Sequence, residues 1–541
     1  MSRDNRDRWT FYTHPVKKPL DAMEVRYWKS IFRKILKVGL EFEYNLPNKN
    51  GTCKGGNNAC PCQHTNTKTC WQTCLRVEAC RAEMGKEFKC HGIFCSGFVT
   101  ACLTCQDYSI NCGSCEHRFD SSRNPDSIRE RITNELQPSN SYGAVTKYGV
   151  HSVVTDGSLL GKKGAEIITV GRRVDYWEFF RMASSIVNLA ETNGAYVNER
   201  CSIHAHILSS YYGKVPKSEE LGPGIHSNIN EMERDLPEIV IANFHQLCRR
   251  YQNAITWMTT GLDDPNHLTR WEKFRVSVLG TSAIFNNMIS VRDEVSGNAG
   301  GNKYGWVNYN NCLFTDEGNV RRFHVEMRVM DGLMSPSAIA AISCLYYALV
   351  IKAAEISRYG IAEVGDKEWL DRAARIKASL MNNMKGYQDG DRFSDTHDLS
   401  KHYETLISES LDLVRQLKHI LITVGPAYEI LEKLAERPCS LRRCDGQSWN
   451  QIEKDLAVEF TVEDLFANKI AEIIDLRLVD ECQTPEEWIK EVVMMLRKDS
   501  ELHIDPEDIS IPKRVQQFVD RKRNDGEIIW LEKVGAMAGI L

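Results

Sequence analysis

Four short segments repeat one unusual pattern, an acid or a histidine set into an otherwise apolar, strand-like run. They are LEFE (Glu41, Glu43), GAEIIT (Glu166), SIHAHI (His204, His206) and HVEMRV (Glu326, Arg328). Side chains along a strand alternate faces, so Glu41 and Glu43 share a face, as do His204 and His206, and Glu326 and Arg328. Like charges side by side on a sheet repel one another. Taken alone, LEFE fits an exposed edge strand, and a lone Glu in GAEIIT fits a solvent-facing residue. Taken together, four strands with acid-and-histidine faces cannot line a hydrophobic core, and leaving such a face buried without partners is costly. The pattern predicts that the four segments meet, with cations between them.

The residue types indicate which cations. Carboxylate-rich sets suit hard ions such as Mg²⁺ or Mn²⁺, with imidazole accepted by Mn²⁺, whereas zinc catalysis more commonly uses a histidine-dominated set. Several carboxylates can hold two metals, an arrangement that clamps transferring phosphoryl oxygens. Arg328 adds a cation suited to charge developing on a phosphate.

A chain of 541 residues is too long for one core and is expected to hold two to four domains. A net charge of −5 argues against a wholly basic nucleic-acid-binding surface. The start, MSRDNRDRWT, is charged from its third residue and lacks an apolar core, which predicts no secretory signal and a cytoplasmic setting. The longest apolar stretch, AIAAISCLYYALVI at 338–351, is shorter than the roughly 20 residues a membrane helix needs. It follows Ser335-Pro336 and precedes Gly360, start and stop signals of a buried core helix. No membrane association is expected.

Residues 1–30 read as a polar N-terminal arm and 31–50 as the first strand of the catalytic domain. A cysteine-rich insert follows at 51–118, the rest of the catalytic domain occupies 119–360, and a mostly helical, charged region spans 361–541. SSRNPDSIRERITNELQPSN reads as a short helix. DYWEFFRMASSIVNLAETNG reads as a longer one, with Asp175 as N-cap and Gly194 as stop. LPEIVIANFHQLCRRYQNAITWMTTG (236–261) reads as one long amphipathic helix. Strands and helices interleaved in this way predict an α+β or mixed α/β catalytic domain. The basic run in the tail, SIPKRVQQFVDRKRNDGE, reads as a solvated face.

Twelve of the 19 cysteines fall in the insert: Cys53, Cys60, Cys62, Cys70, Cys74, Cys80, Cys90, Cys95, Cys102, Cys105, Cys112 and Cys115. The clearest unit is CLTCQDYSINCGSC, two CxxC pairs of the kind that hold a tetrahedral metal, though the gap between them is short for a zinc ribbon. In a reducing setting metal ligation is favoured over disulfides. The stretch has few large apolar residues, so structural Zn²⁺ is expected to supply its stability, with an iron–sulfur cluster as the alternative. Its charge is close to balanced, seven Lys and Arg against five Asp and Glu. Protein, peptide and nucleic acid all therefore stay open as the partner such a module grips.

The ordered motifs VGLEFE, TDGSLLGKKGAEIIT, CSIHAHI, NKYGWVNYN and HVEMRVMDG resemble the amidoligase family, carboxylate–amine ligases with a glutamine-synthetase-like catalytic fold. The resemblance covers residues 37–350 apart from the cysteine block. It implies an antiparallel catalytic sheet and an ATP-dependent ligase that joins a carboxylate to an amine through an acyl phosphate. It further implies that Glu41 and Glu43 divide two metal sites. Glu166 would join the first site, and His204 and Glu326 the second. His206 would touch the nucleotide phosphates, and Arg328 the transferred phosphoryl group. Asp156 and Ser158 match a motif that supports the site or positions substrate; Lys303, Tyr304 and Asn308 match the family's K-Y…N stretch, in which Lys303 and Asn308 would bind the nucleotide. The alternatives are a binding protein whose zinc module works beside a degenerate ligase scaffold, and a phosphoryl transferase acting on an amine or guanidino acceptor. The cysteine insert and the helical extension depart from the plain family pattern, and both bear on substrate choice.

Overall fold

A computed structural model describes residues 9–13, 17–46, 125–136, 149–156, 159, 164–197, 201–209, 234–261, 307–365, 376, 399–459 and 464. The cysteine insert and the basic tail run lie outside the described residues, as do Ser158, Lys303 and Tyr304.

The chain opens with β1 (Phe11–Tyr12), helix α1 (Ala22–Ile35) and β2 (Lys37–Tyr44). Helix α1 shows that the arm ends earlier than residue 30. Asp21 and Glu24 close a capping box at its start, and Val25, Trp28, Lys29, Phe32 and Arg33 form its buried stripe. Next come α2 (Pro125–Leu136), β3 (Val150–Val154), β4 (Ala165–Thr169), β5 (Arg172–Arg173) and α3 (Tyr176–Thr192). Asp175 caps α3 by accepting from the Glu178 amide at 2.9 Å. Gly194, just beyond its end, takes φ +74°, a conformation that favours glycine.

Strand β6 (Ser202–Leu208) is followed by α4 (Glu238–Arg250) and α5 (Gln252–Thr259). The span expected to be one helix is thus two, separated at Tyr251, where φ −104° and ψ 15° leave the α region. Strands β7 (Val307–Asn308), β8 (Leu313–Phe314), β9 (Val320–Arg322) and β10 (His324–Asp331) lead into α6 (Pro336–Ile356). β11 (Ile361–Ala362) follows and pairs with β1. The C-terminal helices are α7 (Tyr403–Gln416), α8 (Lys418–Leu421), α9 (Ala427–Glu436), α10 (Cys439–Cys444) and α11 (Trp449–Leu456).

The fold is mixed α and β, built on one seven-stranded sheet in the order β3-β4-β2-β6-β10-β7, with β5 pairing the start of β2. Every pairing in it is antiparallel. One face presents Val38, Leu40, Phe42, Ile203, Ala205, Ile207, Val325 and Met327 to a helical layer, and all of these are buried. Helix α6 lies at the centre of that layer, packed against α1, α3, α4 and α9. It is apolar and long enough to cross a membrane, yet it is fully buried inside the protein, as a core helix is. The other face of the sheet carries the charged residues.

Candidate metal centre

Register decides which charged residues meet. Across β2 and β6, Glu41 stands opposite His204; across β2 and β4, Glu43 stands opposite Glu166. Across β6 and β10, His206 stands opposite Glu326, which in turn faces Asn308 on β7. Because side chains alternate, these residues project from the face opposite the apolar core. A shift of one residue in any strand would send its charged side chains into that core, so the hydrophobic half of each strand fixes the register of the polar half.

Glu41, Glu43, His204, His206 and Glu326 are all buried, none more than 7% exposed. Glu41 uses one oxygen for each imidazole, with Oε1 3.1 Å from His206 Nε2 and Oε2 3.2 Å from His204 Nδ1. His204 Nδ1 is also 3.4 Å from Glu326 Oε1. Glu326 pairs with Arg328 through Oε1, and its Oε2 accepts from Asn308 Nδ2 at 2.7 Å. Glu43 is turned toward Ser202, whose backbone N–H and hydroxyl oxygen both lie 2.8 Å from its Oε2. The same hydroxyl lies 2.7 Å from His204 Nε2. If His204 donates to Ser202 and Ser202 to Glu43, the lone pair of His204 Nδ1 is left facing Glu41 and Glu326. That is how a ligand for a shared cation is oriented.

The charges respond to this crowding. Burial pushes the Glu41 carboxyl up, but hydrogen bonds with His204 and His206 and the charge on both rings outweigh it and hold the group below the ordinary range. Glu326 is likewise raised by burial and pulled down further by His206, His204 and Arg328. His206 is lowered by burial and raised more by its contact with Glu41, so its pKa is up on balance. Glu166 moves the other way. Burial, together with the charges of Glu41, Glu43 and Asp156, lifts it to about 8, and it is hydrogen-bonded to Glu41. Its proton is therefore harder to remove than that of an ordinary carboxyl.

Glu41, His206 and Glu326 offer ligand atoms that all lie within 4.8 Å of one another. Octahedral ligands at about 2.1 Å from a metal stand roughly 3.0 Å apart when adjacent and about 4.2 Å when opposite. The oxygen and nitrogen donors therefore fit a divalent cation such as Mn²⁺ or Mg²⁺ with small adjustments. The resemblance assigns His206 to the phosphates and His204 to metal. In the structure both rings reach Glu41, and His206 joins Glu41 and Glu326 in a group that could hold a metal ion.

Asp156 lies half-buried just beyond β3, close enough to Glu166 to raise its pKa. Asn308, expected near the nucleotide, donates to Glu326 Oε2 and so orients it. His324 and Ser202 are additions. Each sits two residues from an expected site residue and so shares its face, and His324 Nε2 lies 3.0 Å from His206 Nδ1. No protein-family model matches the chain, and no curated protein does. The functional reading therefore rests on the residues and their geometry.

Proposed function

We propose that the protein is an ATP-dependent carboxylate–amine ligase, built on the glutamine-synthetase-like catalytic fold of the amidoligases. The observation that carries this reading is the convergence of Glu41, His206 and Glu326, with His204, Glu43 and Glu166 beside them, on one buried face of an antiparallel sheet. Four acids and two imidazoles form a donor set suited to one or two Mg²⁺ or Mn²⁺ ions, with Glu41 between them. When bound, such ions neutralise charge on the phosphoryl oxygens of ATP.

The protein's own residues do the positioning. Arg328 is held by Glu326, and its Nε has no hydrogen-bond partner among the described residues. Its guanidinium therefore keeps donors for a phosphoryl oxygen. A bound carboxylate attacks the γ-phosphate, giving an acyl phosphate and ADP. An amine then displaces phosphate and forms the amide. Asp156, at the rim beside Glu166, is the candidate for orienting the amine. The cysteine-rich stretch at 51–118 is read as a zinc module that selects or grips a larger substrate.

The test is ADP release from Mg²⁺- or Mn²⁺-ATP against pooled amino acids, polyamines and peptides, with mass spectrometry of the products. A product one water lighter than its two parents establishes the ligase and names both substrates. ADP formed with an amine alone, and a phosphorylated product, replaces it with a phosphoryl transferase. Neither turnover nor ATP binding sinks the proposal and leaves a binding protein.

A further inference from the structure

We propose that His324 is a positioning residue for His206, holding its ring so that Nε2 faces the metal. This rests on the metal reading of the site. His206 uses its two nitrogens on two different neighbours, Nε2 toward Glu41 Oε1 at 3.1 Å and Nδ1 toward His324 Nε2 at 3.0 Å. A metal needs the lone pair of Nε2, which places the ring proton on Nδ1. His324 Nε2 must then be the acceptor, and His324 carries its own proton on Nδ1.

Ligating histidines almost always give their second N–H to a partner, and that partner is usually a carboxylate, a backbone carbonyl or water. Here it is a second imidazole, neutral and buried. The rings meet edge to face, with centroids 5.2 Å apart and planes at 71°. A further carboxylate at this place would add negative charge behind a ligand in a site that already holds the acids Glu41, Glu43, Glu166 and Glu326. A neutral acceptor orients the ring without that addition.

His324 is itself held. Its backbone carbonyl accepts from the Cys312 thiol at 3.2 Å, and its strand neighbour across the β6 ladder is Leu208. It lies two residues before Glu326, so a single strand delivers both a metal ligand and the group that orients another ligand. His204 has a counterpart in Ser202, which shares its strand and meets its Nε2.

The test is Mn²⁺ binding to the full chain, followed by EPR of the free ion, for wild type, His324→Leu, His324→Gln and His206→Ala. His324→Gln keeps an acceptor oxygen within reach, whereas His324→Leu keeps bulk and removes the acceptor. Mn²⁺ affinity is expected to fall about 10- to 100-fold in His324→Leu and to return to within a few-fold of wild type in His324→Gln. The nitrogen modulation of the Mn²⁺ spin echo, which reports a coordinated imidazole, is expected in wild type and His324→Gln. It should be weakened in His206→Ala, where His204 still offers one imidazole, and weakened in His324→Leu. Thermal midpoints of the two His324 variants separate a folding defect from a positioning defect, because both lose the native ring and only one loses the acceptor. Equal Mn²⁺ affinity in His324→Leu and wild type overturns the positioning role alone. Absence of Mn²⁺ binding by wild type overturns the metal reading, and the positioning role with it.

Discussion

Glu41 is the residue on which the site turns, since each of its oxygens meets a different imidazole and Glu166 is hydrogen-bonded to it. Glu41→Gln keeps the shape and removes the charge. Its Mn²⁺ affinity should fall by more than the roughly 10- to 100-fold carried by a supporting residue, with nucleotide turnover lost and the circular dichroism spectrum unchanged. A variant that retains wild-type Mn²⁺ binding would remove Glu41 from the metal set. Arg328→Lys tests the phosphoryl contact separately. It keeps a positive charge and gives up the planar fork, so kcat should drop about 10²- to 10³-fold while Mn²⁺ affinity stays near wild type. Most of this face was legible in the sequence, because spacing by two is a strong signal when it recurs on several strands. His324 and Ser202 have the same spacing but carry no distinguishing signal in the sequence. A serine or histidine on a strand is common in ordinary cores, and only register reveals what each one touches.

Elements became legible where local signals agreed with tertiary burial. The acid- and histidine-bearing strands, α3 with its Asp175 cap, and α6 after Ser335-Pro336 all stand where periodicity and caps put them. Helix α1 did not stand out, because two of its buried positions are basic. Lys29 pairs with Glu355 at 2.7 Å and Arg33 donates to Thr423 at 2.8 Å, so charges occupy what a pattern search reads as the solvent face. The break at Tyr251 carries no glycine or proline and was likewise invisible. Helix α6 shows how distant elements complete a local signal. Its N-cap Ser335 and its Ser337 both donate to the carboxylate of Glu453 from α11, which brings negative charge to a helix N-terminus. Glu453→Ala should lower stability by about 1–2 kcal/mol, read as a shift in the urea midpoint with an unchanged slope. No shift would mean that Ser335 alone suffices as cap.

At the scale of the whole molecule, the boundary expected at residue 360 does not divide the described core. Leu413, Leu431 and Leu434 from the C-terminal helices are buried in the same cluster as Phe42 and Ile203 from the sheet. Burying three leucines contributes about 5–9 kcal/mol, comparable to the ~5–15 kcal/mol that holds a typical protein folded. A chain ending at residue 398 should therefore lose its metal site through misfolding, seen as aggregation on expression. Glu355 near the end of α6 adds a pH-dependent tie across the same junction. Lys29 of α1 reaches it at 2.7 Å, Lys352 of its own helix at 3.3 Å, and His419 of α8 at 2.8 Å. Burial pushes its carboxyl up, but His419, Lys29 and Lys352 together hold it well below the ordinary value of 4.5. A depressed folded-state pKa means that the unfolded chain takes up the proton first as acid is added. The stabilisation is therefore complete above about pH 4.5 and is lost progressively as pH falls below that toward the folded-state value. Glu355→Gln removes the linkage and leaves Lys29 and Lys352 buried without their anion, which costs about 3–5 kcal/mol at neutral pH. Urea midpoints measured from pH 7 down to pH 3 should fall more steeply for wild type than for Glu355→Gln, the two curves converging in acid. Parallel curves would show that the tie is made by packing and not by charge.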